Sequence, residues 1–203
     1  MPLIRSTPPS PAKDSRPSLD AVRDDLRSDD PGIRRRAVRS LGHVAEVVPI
    51  LIAALDSEGE PAVREAIFSA LMAIPDAAPA LASLLRSQDA GLRNGATEAL
   101  QAMPGSVRPL LPGLLGDRDA DVRILSVQVT RCLPASEATT LLCDLLESES
   151  DPNVCTAAVE ILAEIGTAEA VPTLRRLAER FPSEPIVPFS VTVAIKRVAG
   201  VGN

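Results

Sequence analysis

The chain is 203 residues long, 45% apolar and 24% charged, with a formal net charge of −6. Three phenylalanines, no tryptophan and no tyrosine leave Leu, Ala, Val and Ile to fill the core, and offer little aromatic surface for stacking on a base or a tetrapyrrole. No apolar run reaches membrane length and no signal-peptide pattern opens the chain, so a cytoplasmic protein without a membrane anchor is expected.

Residues 1–17 differ in kind from the rest. Pro2, Pro8, Pro9, Pro11 and Pro17 lie among serines, and Arg5, Lys13 and Arg16 against Asp14 give a net +2. Such a segment cannot bury a core and reads as a disordered leader, or as a docking peptide through Leu3-Ile4-Arg5. From residue 18 onward a five-residue motif returns. Asp30-Pro31-Gly32-Ile33-Arg34 is followed by Glu60-Pro61-Ala62-Val63-Arg64, Asp89-Ala90-Gly91-Leu92-Arg93 and Asp119-Ala120-Asp121-Val122-Arg123. Then come Asp151-Pro152-Asn153-Val154-Cys155 and a degenerate Glu184-Pro185-Ile186-Val187-Pro188, at steps of 30, 29, 30, 32 and 33 residues. Self-similarity at this period marks a stacked repeat protein.

Each motif reads as a helix start. The acidic residue suits the N-cap, and Pro31, Pro61, Pro152 and Pro185 suit the first helical position, where a missing N–H costs nothing; Glu60 and Glu184 are poorer caps than Asp. Counting from the aliphatic residue, offsets 0, +4 and +8 give Ile33/Ala37/Leu41, Val63/Ile67/Leu71, Leu92/Ala96/Leu100, Val154/Ala158/Leu162 and Val187/Val191/Ile195, one stripe of an amphipathic helix. The fourth repeat departs with Val122/Ser126/Thr130, and Leu125 and Val129 are expected to keep its stripe apolar. A preceding helix in most repeats carries its own signal, Val48-Pro49, Ala78-Pro79, Arg108-Pro109 or Val171-Pro172, with the proline expected in the first turn. The result is an all-α chain: a solenoid of about six helical hairpins over residues 18–203.

This pattern resembles HEAT repeats, and specifically the short bacterial variety also seen in phycobilin lyases, with Asp30 to Gly42, Asp89 to Leu100 and Asn153 to Gly166 matching best. The resemblance implies a fold and leaves function open, because unrelated roles share it. It also implies that Arg34, Arg64, Arg93 and Arg123 form a structural ladder, each pairing with acidic residues of the neighbouring repeat. It implies further that the second helix of each hairpin lines a concave face.

No residue set for catalysis, metal or cofactor emerges. His43 is the only histidine, whereas HEAT-repeat hydroxylases bind iron through several His-Glu pairs. Cys132, Cys143 and Cys155 sit within predicted helices at no metal-ligand spacing and read as reduced thiols. Residues 47–76 sum to −4, residues 136–167 to −7 without a single Lys or Arg, and residues 168–203 to +2. Arg35, Arg36 and Arg39 join Arg34 in one local basic cluster, but a stripe meeting nucleic-acid phosphates would be broken by the most acidic repeat.

What remains is surface. On the second helices, offsets +2, +6 and +9 point away from the stripe. They align Arg35, Glu65, Asn94 and Ile124 in one column, Arg39, Glu98 and Gln128 in a second, and Met72, Gln101 and Arg131 in a third. Mixed polar positions with exposed Ile124 and Met72 fit a site for a partner protein. The expected function is a non-catalytic interaction module, an adaptor or scaffold, with a chemosensory or other signalling or enzyme assembly as one setting. The alternative, drawn from the resemblance, is an accessory subunit of a chromophore (phycobilin) lyase-type complex.

Overall fold

The computed structural model describes residues 19–42 and 44–200; the expectations for residues 1–17 and His43 fall outside them. Among the described residues there are thirteen α-helices and no strand. They pair as six hairpins: α1 (Leu19–Asp25) with α2 (Pro31–Ser40), α3 (Val48–Ser57) with α4 (Pro61–Met72), and α5 (Ala78–Ser83) with α6 (Ala90–Gln101). Next, α7 (Pro104–Val107) and α8 (Leu111–Leu115) together pair with α9 (Ala120–Val129). The last two hairpins are α10 (Ala135–Ser148) with α11 (Pro152–Ile165), and α12 (Val171–Arg180) with α13 (Ile186–Val198). Second helices stack in order, α2 on α4, then α6, α9, α11 and α13, so each repeat rests on its sequence neighbour.

Capping chemistry sets the helix starts. Asp30, Asp89, Asp119 and Asp151 each accept from a backbone N–H two residues on, at 2.7 to 3.0 Å. This satisfies donors that a helix N-terminus otherwise leaves open. Glu60 holds the N-cap position of α4 without a side-chain cap bond. In the sixth repeat the start shifts: Pro185 is itself the N-cap and α13 begins at Ile186, because Glu184 supplies no cap. The fourth repeat also corrects the proline reading. Arg108-Pro109 lies in the break between α7 and α8, and it is Pro112 that occupies the first turn of α8.

Most stripe residues form the core, while Ile33 and Ile195 at the two ends are half-buried. Ile67, Leu71, Ala96, Leu100, Ala158 and Leu162 are completely buried. Ser126 and Thr130 are equally buried, and their hydroxyls donate at 2.7 Å to the helix carbonyls of Val122 and Val127. Polar residues thus hold the core line in the fourth repeat because each hydroxyl finds an acceptor in its own helix. Of the two residues expected to keep the stripe apolar, Val129 is completely buried and Leu125 is half-buried against the core. Small residues set the spacing between repeats: a Cβ on Gly95 of α6 would stand 2.4 Å from the ring of Phe68 on α4. The core runs as two contiguous clusters, bridged by Leu141 and Ile165, which pack against both.

Candidate functional site

One side of each second helix faces the seam between repeats, and there the ladder arginines are hydrogen-bonded. Arg34 donates through Nε and Nη2 to the two carboxylate oxygens of Glu58 at 2.7 and 2.8 Å, and through Nη1 to the Ser28 carbonyl at 2.8 Å. Arg123 repeats the arrangement, donating to Glu149 at 2.6 and 3.0 Å and to the Asp117 carbonyl at 2.8 Å. Such two-pronged pairing fixes orientation as well as charge. Arg64 divides its donors between the Glu58 carbonyl at 2.5 Å and Asp89 at 2.7 Å. Arg93 donates to the carbonyls of Ser87 and Gln88, and no carboxylate of a described residue pairs with it. At the fifth rung Cys155 is buried where the motif carries arginine, and Arg180 of α12 comes across to donate to the carbonyls of Glu147 and Glu149.

The acids of the ladder hold their loops as well. Glu58 accepts from the Glu60 N–H, and Glu149 from the N–H groups of Ser150 and Asp151, all at 2.8 Å. Hydrogen bonding from Arg34 holds the Glu58 carboxyl below its usual range, and Arg64 with the Gly91 N–H does the same for Asp89. For Glu149, burial pushes the pKa up, but Arg123 and the two loop N–H groups outweigh it and the net shift is down.

The opposite side of the second helices carries the candidate contact residues. Arg35, Arg39, Glu65, Asn94, Glu98 and Arg131 are exposed, whereas Gln101 and Gln128 are half-buried. Met72 and Ile124, expected to stand exposed, are also half-buried: Met72 packs on the first core cluster and Ile124 on the second. The middle of this face is tied to itself. Gln101 donates from Nε2 to the Gln128 carbonyl at 2.8 Å, and Arg131 pairs with Glu164 at 2.9 Å while also donating to the Gln128 side chain.

The two ends of the face differ from its middle. A groove opens between α2 and α4, bordered by Arg35, Arg39 and Glu65 over Ala62, Ala66 and Ala70. Another opens between α11 and α13, bordered by Arg131, Glu160, Ala163, Phe189 and Val193. Phe189, 66% exposed, and Val193 were missed in the sequence columns. They occupy offsets +2 and +6 from Val187, so the same count carried into the degenerate sixth repeat finds them.

Among the described residues, no group of three or more His, Cys, Asp or Glu is placed to hold a metal. The three cysteines are free thiols, and burial pushes the Cys155 thiol up to about 11, far from a reactive thiolate. No single described helix is long and apolar enough to cross a membrane.

A comparison with solved structures finds similarity to a crystal structure of an engineered protein, at 20% sequence identity and a TM-score of 0.42, covering 90% of this chain and 97% of that one. Among curated proteins no match was found. The family model described as HEAT repeats matches residues 19–101 and again 107–186, most of the chain. With the tandem hairpins, the Asp caps and the arginine seam already in place, the chain belongs to the HEAT-repeat family.

Proposed function

We propose that this protein is a non-catalytic scaffold that holds a partner protein against the outward face of its second helices, the face that the family resemblance makes concave. One observation carries the reading: grooves open at both ends of that face, bordered by side chains such as Arg35, Arg39 and Phe189 that the fold itself does not use. Large exposed apolar groups beside free charges are what a hot spot and its rim need. HEAT repeats generally mediate protein–protein contact, and three free thiols suit a reducing, cytoplasmic compartment.

The test is partner capture with the full chain, scored against point variants on two faces. Phe189→Asp with Glu98→Arg should remove the captured partner and leave the thermal melt unchanged, because both side chains are exposed. Arg175→Glu, on an exposed position of the first helix α12, should retain it. A partner lost with Arg175→Glu and kept with the outward pair would place binding on the first helices and sink the reading.

A further inference from the structure

The basic cluster of α2 splits in two. Arg34 is consumed by Glu58, whereas neither the Arg35 nor the Arg39 side chain has an ion pair or hydrogen bond to any described residue. Arg36, Arg118, Arg175 and Arg197 are likewise without a side-chain partner among the described residues, but Arg35 and Arg39 stand together on one groove. Arg23, Arg27, Arg64, Arg86, Arg108, Arg123, Arg131 and Arg176 all lie within 4 Å of a carboxylate. What sets Arg35 and Arg39 apart is that two such arginines, one helical turn apart, border the same groove.

Residues four apart on a helix stand one above the other, about 6 Å apart. Both guanidiniums therefore border one side of the α2–α4 groove, whose opposite wall is built from the small side chains Ala62, Ala66 and Ala70. Because those residues are small, a polypeptide segment can come close, and apolar wall beneath charged rim is an arrangement that strengthens a hydrogen-bonded ion pair. Glu65 borders the same groove from α4 and forms no ion pair with either arginine. It repels a second carboxylate on its own side, so an acidic ligand is confined to the α2 wall.

We propose that the groove between α2 and α4 receives a carboxylate-rich segment of the partner protein, with Arg35 and Arg39 each taking one acidic side chain. Guanidinium recognises carboxylate through paired N–H donors, and two of them one turn apart select acidic residues spaced by a helical turn, or by two residues along an extended strand. This names the partner chemistry for one end of the face in the proposed function, and so rests on that reading. A protein segment is favoured over nucleic acid because the site is a short island on a chain of net charge −6, with residues 136–167 wholly without Lys or Arg.

The experiment is fluorescence anisotropy on the full chain with a labelled peptide of alternating Glu and Ala, the same peptide with Gln for Glu, and a labelled single-stranded oligonucleotide. The Glu peptide should bind, with an affinity that falls as salt rises, and the Gln peptide should bind at least about tenfold more weakly. Arg35→Ala with Arg39→Ala should weaken the Glu peptide by about tenfold or more without lowering the melting temperature, and Glu65→Gln should tighten it. The proposal is overturned if the Glu peptide does not bind, if the Gln peptide binds equally, or if the double variant binds as the parent does. Tighter binding of the oligonucleotide, lost in the same double variant, would overturn it in favour of nucleic acid. Natural-partner capture that survives the Arg35/Arg39 double variant but fails with Phe189→Asp would sink this inference alone and leave the scaffold reading standing.

Discussion

Arg34 and Arg35 are consecutive residues of α2 in opposite circumstances. Arg34 makes two bonds to a carboxylate and donates to two backbone carbonyls; the Arg35 side chain makes no bond to any described residue. The hundred degrees that separate neighbours on a helix turn one into the seam between repeats and the other out over a groove. Residue type therefore says little here about role, and the angular position says nearly all of it. Seam charges are structural because they meet preplaced partners, and outward charges such as Arg35 and Arg39 are available because the fold leaves them without an ion pair, unlike Arg131, which pairs with Glu164.

The sharpest way to break this comparison is to empty the seam. Arg123→Ala leaves Glu149, a buried carboxylate, with loop N–H groups as its remaining partners, and should cost about 3 kcal/mol in urea unfolding. Arg93→Ala should cost clearly less, since that rung gives up hydrogen bonds to two carbonyls and strands no acid. Equal losses at the two rungs would mean that packing of the arginine stem, not charge pairing, holds the seam.

A pH series probes the same contrast more gently. Glu58, Asp89 and Glu149 have folded pKa values below their unfolded ones, so their contribution is fully present above the unfolded value of about 4 and is lost as pH falls through the folded values. Unfolding free energy should hold steady from near-neutral pH to about pH 5 and decline below it. Glu149→Gln should start lower and fall less steeply across that acid limb, because its amide has no proton to take up. An acid limb unchanged in slope would show that the seam acids do not drive it.

The same division explains what the sequence could disclose. The repeat, the Asp caps and the core stripe were legible because each depends on residues close together in the chain and recurring at one period. Acidic partners for Arg34, Arg64 and Arg123 follow from the repeat as well, since each lies a similar distance onward, 24 to 26 residues, at the start of the next second helix. Arg180 filling the place left by Cys155 was not legible, because it comes from the other helix of the next hairpin and belongs to no recurring position. The half-burial of Ile124 and Met72 depends on how far neighbouring repeats lean on one another, which a helical wheel drawn for one helix does not contain. Phe189 was within reach of the count, but the sixth repeat lacks both its capping acid and its arginine, so the columns stopped a repeat short.

The smallest effect is the most discriminating. Arg35 and Arg39 are like charges one turn apart, a pairing that destabilises a helix by a few tenths of a kcal/mol, and alanine is the better helix former. Glu65 shares their groove but forms no ion pair with either. Replacing both by alanine should therefore leave stability unchanged or raise it by up to about 0.5 kcal/mol, measured by urea unfolding at low salt, with the gain fading as salt screens the repulsion. A seam arginine cannot behave this way, because its removal always strands an acceptor. A loss of more than about 1 kcal/mol would mean that the outward arginines hold the fold as Arg123 does, and the separation between seam and surface would collapse. A small gain would mark them as charges the fold carries at a cost, which is the thermodynamic signature of side chains kept for a ligand.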